Sequence, residues 1–150
     1  MYTFVLATHN IVRWLVLIVG LIAIVMAFVG WFSKKNWGNA DNKAGLIYTI
    51  LLDVNLLLGL LLYIFLSPVT KAAFADFGAA MGDNMLRFFA VEHIFGMVVA
   101  IILAHVGRAL SKKAAEPAKK YRAAAIWYTF SLLVILAMIP WDRPFFRGFF

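Results

Sequence analysis

Cysteine is absent from this 150-residue chain. Its absence excludes disulfides, thiolate-bound iron–sulfur clusters, cysteine-bound zinc and a covalently attached c-type haem. A redox metal would have to be held by histidine, methionine or oxygen, and the chain has three His and six Met. Charge is scarce as well, at 14% of residues, with 7 Asp and Glu against 14 Lys and Arg. There is no glycine-rich phosphate loop, no GxSxG elbow and no HExxH, so neither nucleotide binding nor hydrolysis is indicated. No basic groove studded with aromatics is present, which argues against nucleic acid. Internal repeats and low-complexity linkers are missing too, and the length suits one domain over residues 1–150.

What the chain does have is apolar surface. It is 65% hydrophobic with a mean hydropathy of +0.91. An average soluble chain is about half apolar, so a soluble domain could not hide this much, and the solvent must be lipid. A helix needs about 20 mainly apolar residues to span a bilayer. Four stretches qualify, at roughly residues 8–32, 46–66, 88–110 and 123–141. They predict an all-α, integral-membrane, four-helix up-down bundle.

The positive-inside rule orients it. The first and third connections, 34–45 and 111–122, with Arg108 just before the latter, carry Lys34, Lys35, Lys43, Arg108, Lys112, Lys113, Lys119, Lys120 and Arg122. The opposite side has Lys71, Arg87, Arg143 and Arg147, with Arg13 near the start of the first span. Both termini should therefore lie outside a bacterial cytoplasmic membrane, with the two lysine-rich loops in the cytoplasm. Trp14, Trp31, Trp127 and Trp141 fall near span ends, where interfacial belts form. No Lys or Arg precedes Arg13, and the first apolar stretch is too long for a cleaved signal peptide. The tail 143–150 alternates aromatics with two arginines and reads as an interfacial anchor rather than a docking peptide.

In this topology His9 and His93 lie near the outer ends of spans one and three, at similar depth. Two histidines at one level of an apolar bundle are what a b-type haem needs as axial ligands; the bland reading is two polar residues near a membrane surface. At about 100° per residue, Leu86, Phe89, Met97, Ala100, Ala104 and Gly107 share the His93 face, and Arg13, Val16, Gly20, Ala23 and Ala27 share that of His9. Small residues below the histidines imply close helix packing there, leaving the outer half for a macrocycle. Arg13 and Arg87 could hold haem carboxylates as charge-assisted pairs, or simply snorkel to headgroups. Gly59 would let a macrocycle or a helix approach the second span closely.

The other intramembrane polar groups are candidates for proton or quinone chemistry. Asp53 and Asn55 interrupt the second span about 200° apart, so they cannot face one neighbour. Asp53 reads as a proton-uptake group, a quinol partner, a contact to another subunit, or the counter-ion of an inner-side Lys or Arg. Glu92 points about 100° from His93 and could relay protons or pair with an arginine. His105 lies about 18 Å deeper than His93, near the inner surface beside Arg108, and is rotated by about 120°; with no histidine left to partner it, a second haem or quinone site stands against a hydrogen-bonded interfacial histidine.

Several segments carry a resemblance. His9-Asn10-Ile11-Val12-Arg13-Trp14, Asp41-Asn42-Lys43, Gly59-Leu60-Leu61-Leu62-Tyr63 and Leu86-Arg87-Phe88-Phe89-Ala90-Val91-Glu92-His93 resemble a family of small four-helix bacterial membrane proteins labelled cytochrome b. His105-Val106-Gly107-Arg108 and Ile139-Pro140-Trp141 add to it. The resemblance covers nearly the whole chain. It implies a haem-binding bundle with His9 and His93 as the natural ligands and His105 as the weaker one. The expected activity is electron transfer through one haem b, to or from quinone or a partner redox subunit, rather than transformation of a substrate. Two other readings use the same residues. One is a non-redox accessory subunit of a larger membrane complex. The other is a small proton-coupled carrier built on Asp53 and Glu92, which would need a homodimer.

Overall fold

A computed structural model describes residues 1–141. The tail 143–150, with Arg143 and Arg147, lies outside the described residues. Four helices are long and apolar enough to cross a membrane: Tyr2–Phe32, Asn39–Leu66, Asn84–Lys113 and Pro117–Met138. No strand occurs among the described residues. We label the helices α1 (Tyr2–Phe32), α2 (Asn39–Leu61), α3 (Pro68–Ala75), α4 (Phe77–Ala80), α5 (Asn84–Arg87), α6 (His93–Lys113) and α7 (Pro117–Met138).

Local chemistry sets their ends. The Asp41 carboxylate accepts a hydrogen bond from the Gly38 N–H at 2.8 Å and starts α2. Proline at the first turn starts α3 and α7, where its missing N–H costs nothing. Asp76 accepts from the Ala79 N–H at 3.0 Å and Asp83 from the Leu86 N–H at 2.8 Å, capping α4 and α5. The segment 68–87, expected as a plain connection, is therefore mostly helical, because Ser67-Pro68, Asp76 and Asp83 each begin a helix.

Two π-helical turns interrupt the long helices. Leu62–Leu66 closes α2, and Phe88–Glu92 joins α5 to α6. A π turn disrupts the regular hydrogen-bond ladder, and such turns concentrate at functional sites. Here the two are tied together. The Tyr63 hydroxyl donates to the Ala90 carbonyl at 2.7 Å, and the Thr70 hydroxyl donates to the Tyr63 carbonyl at 2.8 Å.

Helix α1 packs on α2 and α7, α6 packs on α7, and α2 packs on α6. Helices α1 and α6 therefore face each other diagonally across the bundle rather than as neighbours. The core is built from small residues and tyrosines. Tyr48 is fully buried; its hydroxyl bonds Ser131 Oγ at 2.9 Å, and Ser131 donates onward to the Ala100 carbonyl at 2.7 Å, joining α2, α7 and α6. Gly107 lets α7 close in, since a Cβ there would stand 2.7 Å from the Trp127 Cβ. Large apolar side chains such as Ile18, Leu21, Leu57, Phe95 and Phe130 are exposed instead. Small residues inside and bulky apolar ones outside suit a bundle solvated by lipid.

Candidate functional site

A cavity of about 150 Å³ opens in the half of the bundle that contains the start of α1. His9 and Arg13 line it from α1, Asn55 and Gly59 from α2, and Phe89 and His93 from the Phe88–Glu92 turn and the start of α6. The rest of its wall is mainly Leu, Ile and Val, and Ser67 and Thr70 at the start of α3 help cover it.

The two histidines are held differently. His93 Nδ1 lies 2.8 Å from the Met138 carbonyl. That carbonyl has no donor in its own helix, because α7 ends there and Ile139, preceding Pro140, is extended. Nδ1–H therefore donates, and Nε2 is left with the lone pair. Gly96, one turn on, makes the contact reachable, since a Cβ at that position would sit 2.7 Å from the Met138 sulfur. A carbonyl that fixes an imidazole tautomer is the usual outer-shell support of a metal-binding histidine.

His9 rests on α2 instead. A Cβ on Gly59 would stand 3.3 Å from His9 Cε1. The close approach expected at Gly59 is thus made by the imidazole itself. His9 Nδ1 is buried without a well-formed hydrogen bond among the described residues, with the Asn55 backbone close by, and Asn55 Oδ1 is buried without a partner among them. Most buried polar atoms are paired, so two unpaired ones lining a single cavity point to a ligand or ordered water that satisfies them.

The arginines separate. Arg13 lines the cavity, with its guanidinium 5.5 Å from the Trp14 ring centroid. Arg87 does not line it. It binds Glu92 Oε1 at 2.7 Å, the Met81 carbonyl at 3.2 Å and Asn84 Oδ1 at 3.1 Å, and so knits segment 81–92 together. Arg87 and Glu92 pair with each other, the arginine contact that was one reading of Glu92.

His105 and Asp53 also stand apart from the cavity, yet they meet each other, with His105 Nε2 2.8 Å from Asp53 Oδ1. Asp53 reads from the sequence as a proton-uptake group, a quinol partner, a subunit contact or the counter-ion of an inner-side Lys or Arg; the structure gives it His105 as its partner. Asn55 faces the other way, into the cavity, as the 200° separation required.

Sequence reasoning missed Asn10, Tyr63 and Thr70, which also line the cavity. Asn10 and Tyr63 stand in segments that carry the resemblance, and Thr70 follows the Ser-Pro helix start. Among the described residues no three of His, Cys, Asp and Glu cluster; of the side chains able to bind a metal, His9, His93 and Met97 line the cavity. No protein-family model matches this chain, nor does any curated protein or solved structure.

Proposed function

We propose that this chain is a b-type cytochrome of a bacterial cytoplasmic membrane, carrying one haem between α1 and α6 toward the outer face. The carrying observation is the shared cavity, where His93 presents Nε2 as an acceptor and His9 has a buried, unsatisfied ring nitrogen. The donor set fits the group: two neutral imidazoles for iron, an apolar wall, and Arg13 for a carboxylate. Haem, when bound, supplies a one-electron couple. The chain's own part is to hold the imidazoles on diagonal helices, exclude water with the α3 cover, and place a cation beside the site. Electrons would pass to or from quinone or a partner redox subunit. The distribution of Lys and Arg supports outside termini and cytoplasmic loops at 34–45 and 111–122.

One observation favours a second reading, a non-redox accessory subunit. About 150 Å³ is the volume of an engineered cavity known to hold a benzene ring. On this reading, water would satisfy His9 and Asn55. Absorption spectra of the purified, detergent-solubilised protein, oxidised and reduced, separate the two. A Soret band with a reduced α band, absent from His93→Ala, is expected. Protein that carries no haem and takes up none when it is added selects the accessory reading.

A further inference from the structure

The His105–Asp53 pair is a polar spot on the outside of the α2–α6 seam that the haem reading does not use. Asp53 lies inside the apolar run 46–66, about 10 Å of helix from its inner end and about 20 Å from its outer end. His105 is 8 residues from the end of α6, about 12 Å. The pair is nonetheless half exposed, at 47% and 48% of the two side chains. An ionisable pair on a bilayer-facing surface is costly, and such residues usually mark a substrate or ion path.

We propose that this pair is a docking site for a membrane-dissolved hydroquinone, one of whose hydroxyls donates a hydrogen bond to His105 Nδ1. The proposal deepens the electron-transfer reading above and takes its purpose from it, though the geometry stands without haem. With Nε2–H donating to Asp53 Oδ1, Nδ1 is the acceptor left on the ring. Arg108, three residues on, turns its guanidinium to the Asn42 carbonyl at 3.2 Å.

The surroundings select among occupants. Ile50 and Leu57 on α2 and Ile102 on α6 lie one turn from the pair and are exposed, so the spot is a small polar patch on a bulky aliphatic surface. A ring with two hydroxyls and a hydrocarbon tail matches it. A phosphodiester has no proton to donate to Nδ1 and would meet the Asp53 carboxylate. A protein partner in lipid would be expected to meet small residues, but Gly45, Gly96, Ala100, Ala104 and Gly107 of these helices are buried inside the bundle.

The test uses the full chain in nanodiscs with a decyl-tailed azidophenol as photolabel. Competitors are decyl hydroquinone and its dimethyl ether, which matches it in shape but has no hydroxyl donor. Label is expected on α2 and α6 around residues 50–57 and 98–109. The hydroquinone should compete about fivefold better than the ether, the worth of one neutral hydrogen bond. That preference should vanish in His105→Leu and fall in Asp53→Asn, which preserves shape and carries the test if His105→Leu does not fold. Label confined to the His9–His93 cavity, equal competition by the ether, a preference unchanged in both variants, or protection of the seam by self-association would each overturn the proposal. Because labelling does not require haem, a protein lacking a Soret band can still pass or fail this test.

Discussion

The two halves of this bundle solve the same packing problem in opposite ways. In the half that holds the 33–38 connection, glycines and alanines let helices close around tyrosines. Tyr121 fills the space over Gly30 and donates to the Asn36 carbonyl at 3.1 Å and to Asp41 at 3.0 Å, while Tyr128 lies over Gly45 and Gly107. The residual pocket there is about 10 Å³, room for one water at most. In the other half, two π turns and the α3 cover hold the helices around about 150 Å³. Trp37 Nε1 and Thr129 Oγ1 are also buried without partners, but they are not brought together at one cavity; His9 Nδ1 and Asn55 Oδ1 are. Unsatisfied polar atoms gather where the packing opens, which is how a site differs from a packing defect.

If the halves have separate duties, their mutations should separate as well. The largest effect is expected for His93→Ala or His9→Ala, namely complete loss of haem absorbance with the far-ultraviolet helical signal unchanged. Collapse of the helical signal in either variant would make the histidines structural. Next is Gly30→Val in the packed half. Its side chain would have to enter the Tyr121 ring, and overpacking of this kind costs about 1–3 kcal/mol. Thermal or denaturant unfolding in detergent should shift accordingly, while the haem-to-protein ratio of the folded fraction stays at its wild-type value.

The packed half was largely legible in the sequence, and the open half only partly. Spans follow from runs of apolar residues, and the small-residue stripes below His9 and His93 pointed correctly to close packing. The extensions of α2 and α7 to Asn39 and Pro117 were also written there, in Asp41 and Pro117, but outside the apolar runs. Helical arithmetic placed Phe89 beside His93, and their ring centroids are 6.0 Å apart. It could not supply the π turn across Phe88–Glu92, because no single residue encodes one, nor the bond that the Ala90 carbonyl accepts from Tyr63 on another helix. Arg87 illustrates the same limit. Its charge suited a carboxylate ligand, but Glu92, Asn84 and the Met81 carbonyl are nearer, and only the folded 81–92 segment reveals them. The Met138 carbonyl that orients His93 is a backbone atom 45 residues away.

Gly59→Ala tests the open half more finely. The added methyl would sit 3.3 Å from His9 Cε1, tighter than ordinary contact, so the ring must tilt by a few tenths of an ångström. Haem affinity should fall about tenfold, the low end of the effect of disturbing the support of a metal ligand. Unfolding stability should change little, because the ring borders a cavity and has room to move. An unchanged haem titration would show that Gly59 is not what positions His9.

The smallest effect is expected for Tyr48→Phe. It removes the hydroxyl that bonds Ser131 but keeps the ring over Gly20, and Ser131 retains its bond to the Ala100 carbonyl. Interhelical hydrogen bonds in membrane bundles average about 0.6 kcal/mol, so a stability loss near that value is the expected reading. Haem content should not move. Tyr48 belongs to the same core as Val16 and Leu52, which line the cavity, so a Tyr48→Phe variant that lost haem would show the packed half setting the spacing of the two histidines, and the division between the halves would have to be redrawn as one coupled scaffold.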